Sequence, residues 1–139
     1  DVVIEGLKIW GGPWQPYFCN WAFNVHRYTG ELKEIWSRIP NDADIVVTHG
    51  PPYGVNDKAF RGGKCGCNDL LVALDRVKPM VHVSGHIHEG YGWNYFNNIL
   101  CINASTCTLA YNPDNPAVVI KIVDKEVVDC YSHIEEEDE

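Results

Sequence analysis

Two short apolar segments each lead into a histidine-containing cluster, and this pair of segments constrains the fold more than any other feature of the chain. Ile45–Val47 is an unbroken apolar run that leads into His49, and Met80–Ser84 leads into His86 and His88. Runs without polar alternation are typical of strands buried on both faces of a sheet. A loop and a helical pattern separate them, so we predict a parallel pair with a crossover helix. Both clusters then lie at one sheet edge, where ligands of α/β proteins collect.

Two segments show the three-to-four spacing of apolar residues that predicts amphipathic helices. The first has Thr29 as its expected N-cap and ends before Pro40, and the second has Asn68 as its expected N-cap and ends before Pro79. The two apolar faces consist of Leu32, Ile35, Trp36 and Ile39, and of Leu70, Leu71, Leu74 and Val77. The fold class that these elements predict is α/β.

Both ends of the chain carry further strand patterns. Leu7–Trp10 is a strand candidate, and the aromatic segment Trp14–Phe23 is expected to form a packed loop. The last third of the chain is expected to be antiparallel, with Asn97-Asn98 and Asp124-Lys125 as two-residue hairpin turns. The strands that flank these turns are Gly92–Phe96, Ile99–Ile102, Ala117–Val123 and Glu126–Tyr131.

Charge and hydropathy exclude some classes of function. The net charge of −8 comes largely from Glu135–Glu139, which we interpret as an acidic tail after a body of residues 1–134. Because a nucleic-acid polymer requires a cationic face, it is not an expected partner. The sequence contains no run of 18 apolar residues, so we expect no membrane span. We expect a cytoplasmic protein whose six cysteines are reduced, with disulfides as the alternative for a secreted protein.

The three histidines at the two strand ends are candidate metal ligands. A neutral imidazole binds divalent first-row metals well, and His49, His86 and His88 could supply the nitrogen half of a metal site. Each of them taken alone is more simply a hydrogen-bonded structural residue. The nearby carboxylates are Asp57 and Glu89, for which a loop-turn residue and a surface acid are the simpler interpretations.

Other polar residues have simple structural interpretations. His82 lies inside the second strand, so we expect a core residue or a side chain that supports the site. Asn103 begins a glycosylation-like triplet but follows an apolar run, which favours a strand end. Cys65-Gly66-Cys67 lacks the second cysteine pair that a structural zinc site needs. Basic residues of the loop after His49 are interpreted as solvated surface, with contacts to substrate phosphate as the alternative; they are Lys58, Arg61 and Lys64.

Several motifs occur together in the order of one known family. They are Gly12–Pro16, Trp21–Phe23, Thr48–Pro52, Gly85–Gly92 and Ile102–Cys107. With them the chain resembles the calcineurin-like metallophosphoesterases, in particular the brain-type branch of metallophosphoesterase-domain-containing proteins. The resemblance implies part of a four-layer α/β/β/α sandwich. It further implies that residues 1–134 are the carboxyl-terminal portion of the domain and that the amino-terminal half is missing.

The resemblance also implies roles for the histidines. His49 and His86 match ligands of one metal and His88 matches a ligand of a second, in a centre of two divalent ions such as Mn, Fe, Zn or Mg. The family's earlier Asp-x-His, Gly-Asp and Gly-Asn-His motifs are not found in this chain, so no catalytic residue is identified. Two divalent ions carry a charge of about +4 that neutral histidines do not offset. We therefore expect this chain to bind at most one metal, weakly, and to show little or no turnover.

The function that the resemblance implies is metal-dependent phosphoesterase activity. The expected reaction of the complete protein is hydrolysis of a small phosphate ester, in particular a phosphodiester such as a cyclic nucleotide. The alternative is a non-enzymatic product, either a truncated paralogue or a split-protein fragment that acts by association with an amino-terminal half or an oligomer partner. Strands that lose their neighbours expose hydrogen-bonding edges, which promotes such association. A mononuclear zinc hydrolase ranks last, since no spare base stands beside the three histidines.

Overall fold

The computed structural model describes residues 1–133, so the predicted acidic tail at 135–139 lies outside the described residues. The strands are β1 (Val2–Ile4), β2 (Leu7–Gly12), β3 (Gln15–Pro16), β4 (Asn24–Val25), β5 (Ile45–Thr48), β6 (Val81–Ser84), β7 (Gly92–Phe96), β8 (Ile99–Asn103), β9 (Ala117–Val123) and β10 (Glu126–His133). Six of them form one sheet in the order β1-β2-β5-β6-β8-β7, and two pairs, β3-β4 and β9-β10, form separate two-stranded sheets. The α-helices are α1 (Glu31–Ser37) and α2 (Asn68–Val77), and His88–Gly90 forms a short 3-10 helix.

The four central strands, β2, β5, β6 and β8, run parallel, and β1 and β7 add antiparallel edges. The predicted parallel pairing of the two histidine-ended strands is confirmed, with Val46 opposite His82. Both strands therefore end at the same side of the sheet. That common end places His49 close to the loop that follows β6.

Both helices pack on one face of the sheet, where Trp36 of α1 meets Trp10 edge-on at 6.2 Å between ring centroids. Both predicted N-caps are wrong by one residue. The N-cap of α2 is Cys67, whose Sγ accepts a hydrogen bond from the backbone N–H of Leu70 at 3.4 Å. The N-cap of α1 is Gly30, because the chain enters the helix through a left-handed backbone with φ of 83° that glycine adopts without strain.

The hairpin of β9 and β10 covers the opposite face of the sheet through an apolar cluster around Val81, Leu100 and Ile102. Residues 1–133 thus form three layers, namely helices, six-stranded sheet and hairpin, within a mixed α/β fold. Both predicted hairpin turns are confirmed. All four of their residues have positive φ, as two-residue turns of this type require; they are Asn97, Asn98, Asp124 and Lys125.

One part of the hairpin-facing side of the sheet is open to solvent. Val2 and Ile4 of β1 are 56% and 55% exposed, and they lie opposite Ile9 and Leu7 of β2 in the strand register. Val47 of β5 is 40% exposed on the same face. The chain therefore carries an apolar surface along β1, β2 and β5.

Two further expectations concern the state of the cysteines and the presence of a membrane span. All six cysteines are free, and Cys67 and Cys101 are buried as small core residues. In the part of the chain that the structure describes, no helix combines the length and the apolar character that crossing a membrane requires.

Candidate metal centre at the ends of β5 and β6

His49 and His86 meet at the common end of β5 and β6. The Nε2 atom of His49 lies 3.1 Å from the Nδ1 atom of His86, and the two ring centroids are 4.7 Å apart. A backbone hydrogen bond of 2.9 Å from the N–H of Gly85 to the carbonyl of His49 ties the two strand ends together. The structure therefore brings together the two histidines that the family resemblance assigned to one metal.

The backbone of His86 adopts the left-handed conformation, with φ of 67°. Residues with a Cβ atom enter this region at a cost in free energy, and such residues cluster at functional sites. The loop around it is closed by a hydrogen bond of 2.7 Å from the N–H of Ile87 to the carbonyl of Gly85. From this backbone the ring of His86 contacts the ring of His49.

The surroundings of the two rings favour their neutral forms. Burial, together with the charges of His49 and His88, lowers the pKa of His86 to about 4. Partial burial of the ring lowers the pKa of His49 as well. Because a metal binds the neutral imidazole, both rings are in the ligand form at neutral pH.

His88 is held apart from this pair. Its Nδ1 atom lies 3.0 Å from the carbonyl oxygen of Thr108, and its ring meets Tyr111 edge-on at 5.2 Å. A carbonyl only accepts, so in the neutral ring Nδ1 carries the proton and Nε2 keeps a free lone pair. This is the arrangement in which metal-binding histidines are usually oriented. Within residues 1–133, however, no three His, Cys, Asp or Glu side chains are arranged to hold one metal ion.

The spacing of the His49 and His86 nitrogens fits two ligands of a single ion. Imidazole nitrogens bound to one tetrahedral ion at about 2.1 Å lie about 3.4 Å apart, close to the observed distance. The observed 3.1 Å equally suits a hydrogen bond between two neutral rings in the metal-free protein. The pair can thus accept an ion with little movement of either ring.

The nearby carboxylates are engaged elsewhere, as their simpler interpretations predicted. Asp57 is buried and accepts hydrogen bonds from the N–H groups of Gly54 and Gly66, at 2.9 and 2.8 Å. Glu89 accepts one from the N–H of Phe60 at 2.6 Å. Among the described residues the donor set at His49 and His86 is therefore neutral.

His82 supports the end of β5 from within the core. Its ring is fully buried, and its Nε2 lies 2.8 Å from the Oγ1 of Thr48, whose hydroxyl donates to the carbonyl of Gly50 at 2.7 Å. Because the Thr48 hydroxyl already donates its hydrogen to Gly50, it can only accept from His82, so the Nε2 of His82 carries the proton. The buried Nδ1 of His82 has no hydrogen-bond partner. The expectation of a core residue is confirmed, and the contact braces the turn that carries His49.

Replacing His82 with glutamine is expected to reduce the loss of stability that acid causes. Burial lowers the pKa of His82 to about 3, from an ordinary 6.5. Below pH 6.5 the unfolded chain therefore binds a proton at His82 that the folded chain does not bind, so the free energy of unfolding falls as the pH falls. Between about pH 7.5 and pH 5 this difference lowers the free energy of unfolding by about 2 kcal/mol.

Urea unfolding of both proteins at these pH values measures the difference. The glutamine amide can still donate a hydrogen bond to Thr48 but does not titrate. Cys101 lies opposite His82 in the strand register, and burial raises the pKa of its thiol to about 12, so this thiol stays neutral at both pH values. An equal loss of stability in both proteins would contradict the role assigned to His82.

An aromatic cleft of about 520 Å³ opens beside His86 and His88. Phe18 meets the ring of His86 edge-on at 5.2 Å. The cleft walls include Trp21, Tyr28, Tyr53, Lys64, Leu109 and Tyr111. Trp21 is 55% exposed, so packing in a core does not account for it. Of the three basic loop residues, Lys64 lines the cleft, with its Nζ 5.6 Å above the ring of Tyr53.

Sequence reasoning missed the part that Asn103 plays at the site. Asn103 ends β8 opposite Ser84 of β6 and is completely buried. Its side chain donates to the carbonyl oxygen of Ile87, between the two histidines of the loop, at 2.7 Å. A polar residue at the carboxyl end of a buried strand was the available signal, the same one that marked His49. The burial also confirms the strand-end interpretation of its glycosylation-like triplet.

Comparisons with known proteins agree with these motifs. The sequence profile of the calcineurin-like phosphoesterases matches residues 4–90, a span that contains all three histidines of the site. Metallophosphoesterase domain-containing protein 1 of Homo sapiens and that of Mus musculus are each 44% identical to the chain over 124 residues, which is 88% of the chain and 38% of either relative. A UPF0046 protein of Caenorhabditis elegans is 42% identical over 125 residues, covering 88% of the chain and 31% of that protein.

A crystal structure of 19% sequence identity superimposes with a TM-score of 0.50, over 75% of the chain and 43% of that protein. This likeness supports the fold alone. The chain spans 31% to 38% of the length of these curated relatives.

Proposed function

The chain belongs to the calcineurin-like phosphoesterase family, and on that premise we propose that it supplies histidine ligands for the metal-dependent hydrolysis of phosphate esters. The observation that carries this proposal is the contact between His49 and His86, whose nitrogens lie 3.1 Å apart at the end of two parallel strands. Members of the family are hydrolases that generally use divalent metals.

Each histidine has a distinct proposed role. His49 and His86 hold one ion, and His88, with Nε2 as its free nitrogen, is available to a second. Bound divalent ions, Mn, Fe, Zn or Mg in this proposal, would supply the activated nucleophile and neutralise charge on the phosphoryl oxygens. The residues of this chain fix the positions of the ligands through Thr48, through the carbonyl of Thr108 and through the loop from Gly85 to Gly90.

The proposed activity needs more than these three ligands. Asp57 and Glu89 are engaged with backbone N–H groups, so among residues 1–133 only neutral nitrogens would face the ion. Carboxylates normally offset the charge of such a centre. We propose that the chain by itself binds at most one ion weakly, with little or no turnover, and that phosphodiester hydrolysis belongs to a complete site.

The cleft beside the histidines suits a small organic phosphate. Its aromatic walls can stack on a planar group, and Lys64 can approach an anion. We therefore propose phosphodiesters, cyclic nucleotides among them, as the substrate class. We do not propose a nucleic-acid polymer as substrate, because the chain carries a net charge of −8.

Phosphorus-31 relaxation tests whether a phosphodiester meets the metal at this site. With Mn²⁺ and 3′,5′-cyclic AMP, the wild-type chain is expected to broaden the phosphorus signal beyond the effect of free Mn²⁺. The excess broadening should vanish in His49→Ala, because the paramagnetic ion loses a ligand. Equal broadening with both proteins would overturn the proposal.

Association without catalysis is the competing proposal. It is supported by the exposed apolar surface along β1, β2 and β5, where Val2, Ile4 and Val47 face solvent. That surface does not identify a partner, whereas the histidine contact specifies a chemistry. Hydrolysis therefore ranks first.

A further inference from the structure

The side chain of Asn103 uses its entire hydrogen-bonding capacity. Its Nδ2 donates to the carbonyl oxygens of Ile87 at 2.7 Å and Asn56 at 3.1 Å. Its Oδ1 accepts from the N–H of Ser105 at 3.1 Å and from the Ser105 hydroxyl at 2.7 Å. An asparagine offers two donor hydrogens and two acceptor lone pairs, so all four positions are filled. The orientation of the amide is thereby fixed.

These four bonds join the segments that surround the histidines. The carbonyl of Ile87 belongs to the peptide that links residue 87 to His88, and it also accepts from the N–H of Gly90 at 3.0 Å. Ser105 begins the segment that leads to Thr108, whose carbonyl orients His88. One buried side chain therefore holds both the backbone beside His88 and the segment that supplies the hydrogen-bond partner of His88.

The bond to Asn56 adds the loop after β5. The side chain of Asn56 donates to the carbonyl of Cys101 at 2.9 Å and accepts from the Asn94 side chain. Asn56 thus docks its own loop onto β7 and β8. Through Asn103 the same loop is joined to the segment of His86 and His88. These bonds fix the position of the loop after β5 relative to the loop after β6.

We propose that Asn103 is a positioning residue that sets the geometry of the His86–His88 segment for metal binding, acting through the carbonyl of Ile87 and through the Ser105–Thr108 segment. This inference rests on the proposed function for its purpose, although the positioning itself is a property of the metal-free chain. Outer contacts of this kind tune metal affinity by orienting the ligands.

The test uses Asn103→Asp, which has nearly the same shape and keeps the two bonds from Ser105. Its carboxyl oxygen replaces the amide nitrogen, so the two donations to backbone carbonyls are lost. Nitrogen-15 NMR of the histidine rings, at neutral pH and without metal, reads the tautomer of His88. The wild-type chain is expected to show the Nδ1–H form bonded to Thr108, and Asn103→Asp a mixture of tautomers. Zn²⁺ affinity is expected to fall about 10- to 100-fold.

The matched control is Leu74→Ala, which removes a fully buried side chain of α2 that belongs to the helix-side core. It should lower the thermal midpoint while the tautomer of His88 and the Zn²⁺ affinity stay at wild-type values. If Asn103→Asp does not fold, Asn103→Ala, which also removes both donations to backbone carbonyls, is measured in the same way and is expected to give the same changes.

Two outcomes would overturn the positioning role, namely an unchanged His88 tautomer in the Asn103 variant or an equal change in Leu74→Ala. If the wild-type chain binds no Zn²⁺, the proposed function fails, and the tautomer alone decides the role of Asn103. The two failures are therefore distinguishable.

Discussion

Replacing Gly90 with alanine is expected to lower the free energy of unfolding by about 3 kcal/mol or more, at the upper end of overpacking effects. A Cβ atom at this position would lie 2.0 Å from the carbonyl oxygen of Asn56 and 2.8 Å from the Nδ2 of Asn103. The nearer atom is backbone, so rotating a side chain does not relieve the clash. The loop that carries His86 and His88 would have to separate from the loop of Asn56.

Gly63→Ala is the control for this substitution. A Cβ at Gly63 meets no heavy atom within 4 Å, and its φ lies outside the left-handed region. Alanine there should be neutral or slightly stabilising, because it reduces the freedom of the unfolded chain. Urea denaturation of the three proteins gives the comparison. If Gly90→Ala were as stable as Gly63→Ala, the close packing of the two loops would be refuted.

His86→Asn and His49→Ala are each expected to weaken Zn²⁺ binding by more than about 100-fold, since the loss of outer contacts alone costs 10- to 100-fold. Each substitution removes one of two nitrogens that lie 3.1 Å apart. Asparagine is chosen at position 86 because it tolerates the left-handed backbone of His86 better than other residues with a Cβ do. A change in Zn²⁺ affinity then reports the loss of the imidazole and not a strained backbone.

His26→Asn is the control for loss of a histidine. His26 is exposed and stacks on Tyr17, with 4.8 Å between ring centroids, and it does not line the cleft beside His86. Calorimetric titration with Zn²⁺ should give no more than one weak site in the wild-type chain and in His26→Asn. Unchanged affinity in both His49→Ala and His86→Asn would remove the metal assignment.

The sequence allowed the main elements to be predicted, because their patterns are local. The apolar run Ile45–Val47 and the segment ending at Ser84 predicted two strands, and the helical spacing between them predicted a crossover. The expectation of burial on both faces is wrong for β5, because Val47 is 40% exposed. Parallel pairing then followed from chirality and connection length. The approach of His49 to His86 is a consequence of that topology.

Other features depend on contacts between distant parts of the chain. Cys67 replaces Asn68 as the N-cap because its sulfur also accepts from the indole N–H of Trp36, 31 residues away. His88 is directed to Thr108 by a segment whose course depends on Asn103 and Ser105. No periodic pattern encodes such contacts, so only the tertiary structure reveals that the carbonyl of Thr108 orients the ring of His88.

The central claim is that His49 and His86 bind the same ion. X-ray absorption spectroscopy of the Zn²⁺-loaded chain tests it directly. We expect two imidazole nitrogens at about 2.0 to 2.1 Å, with water oxygens completing the coordination. A spectrum without imidazole scattering, or one dominated by sulfur at about 2.3 Å, would contradict the claim and direct attention to the cysteines instead.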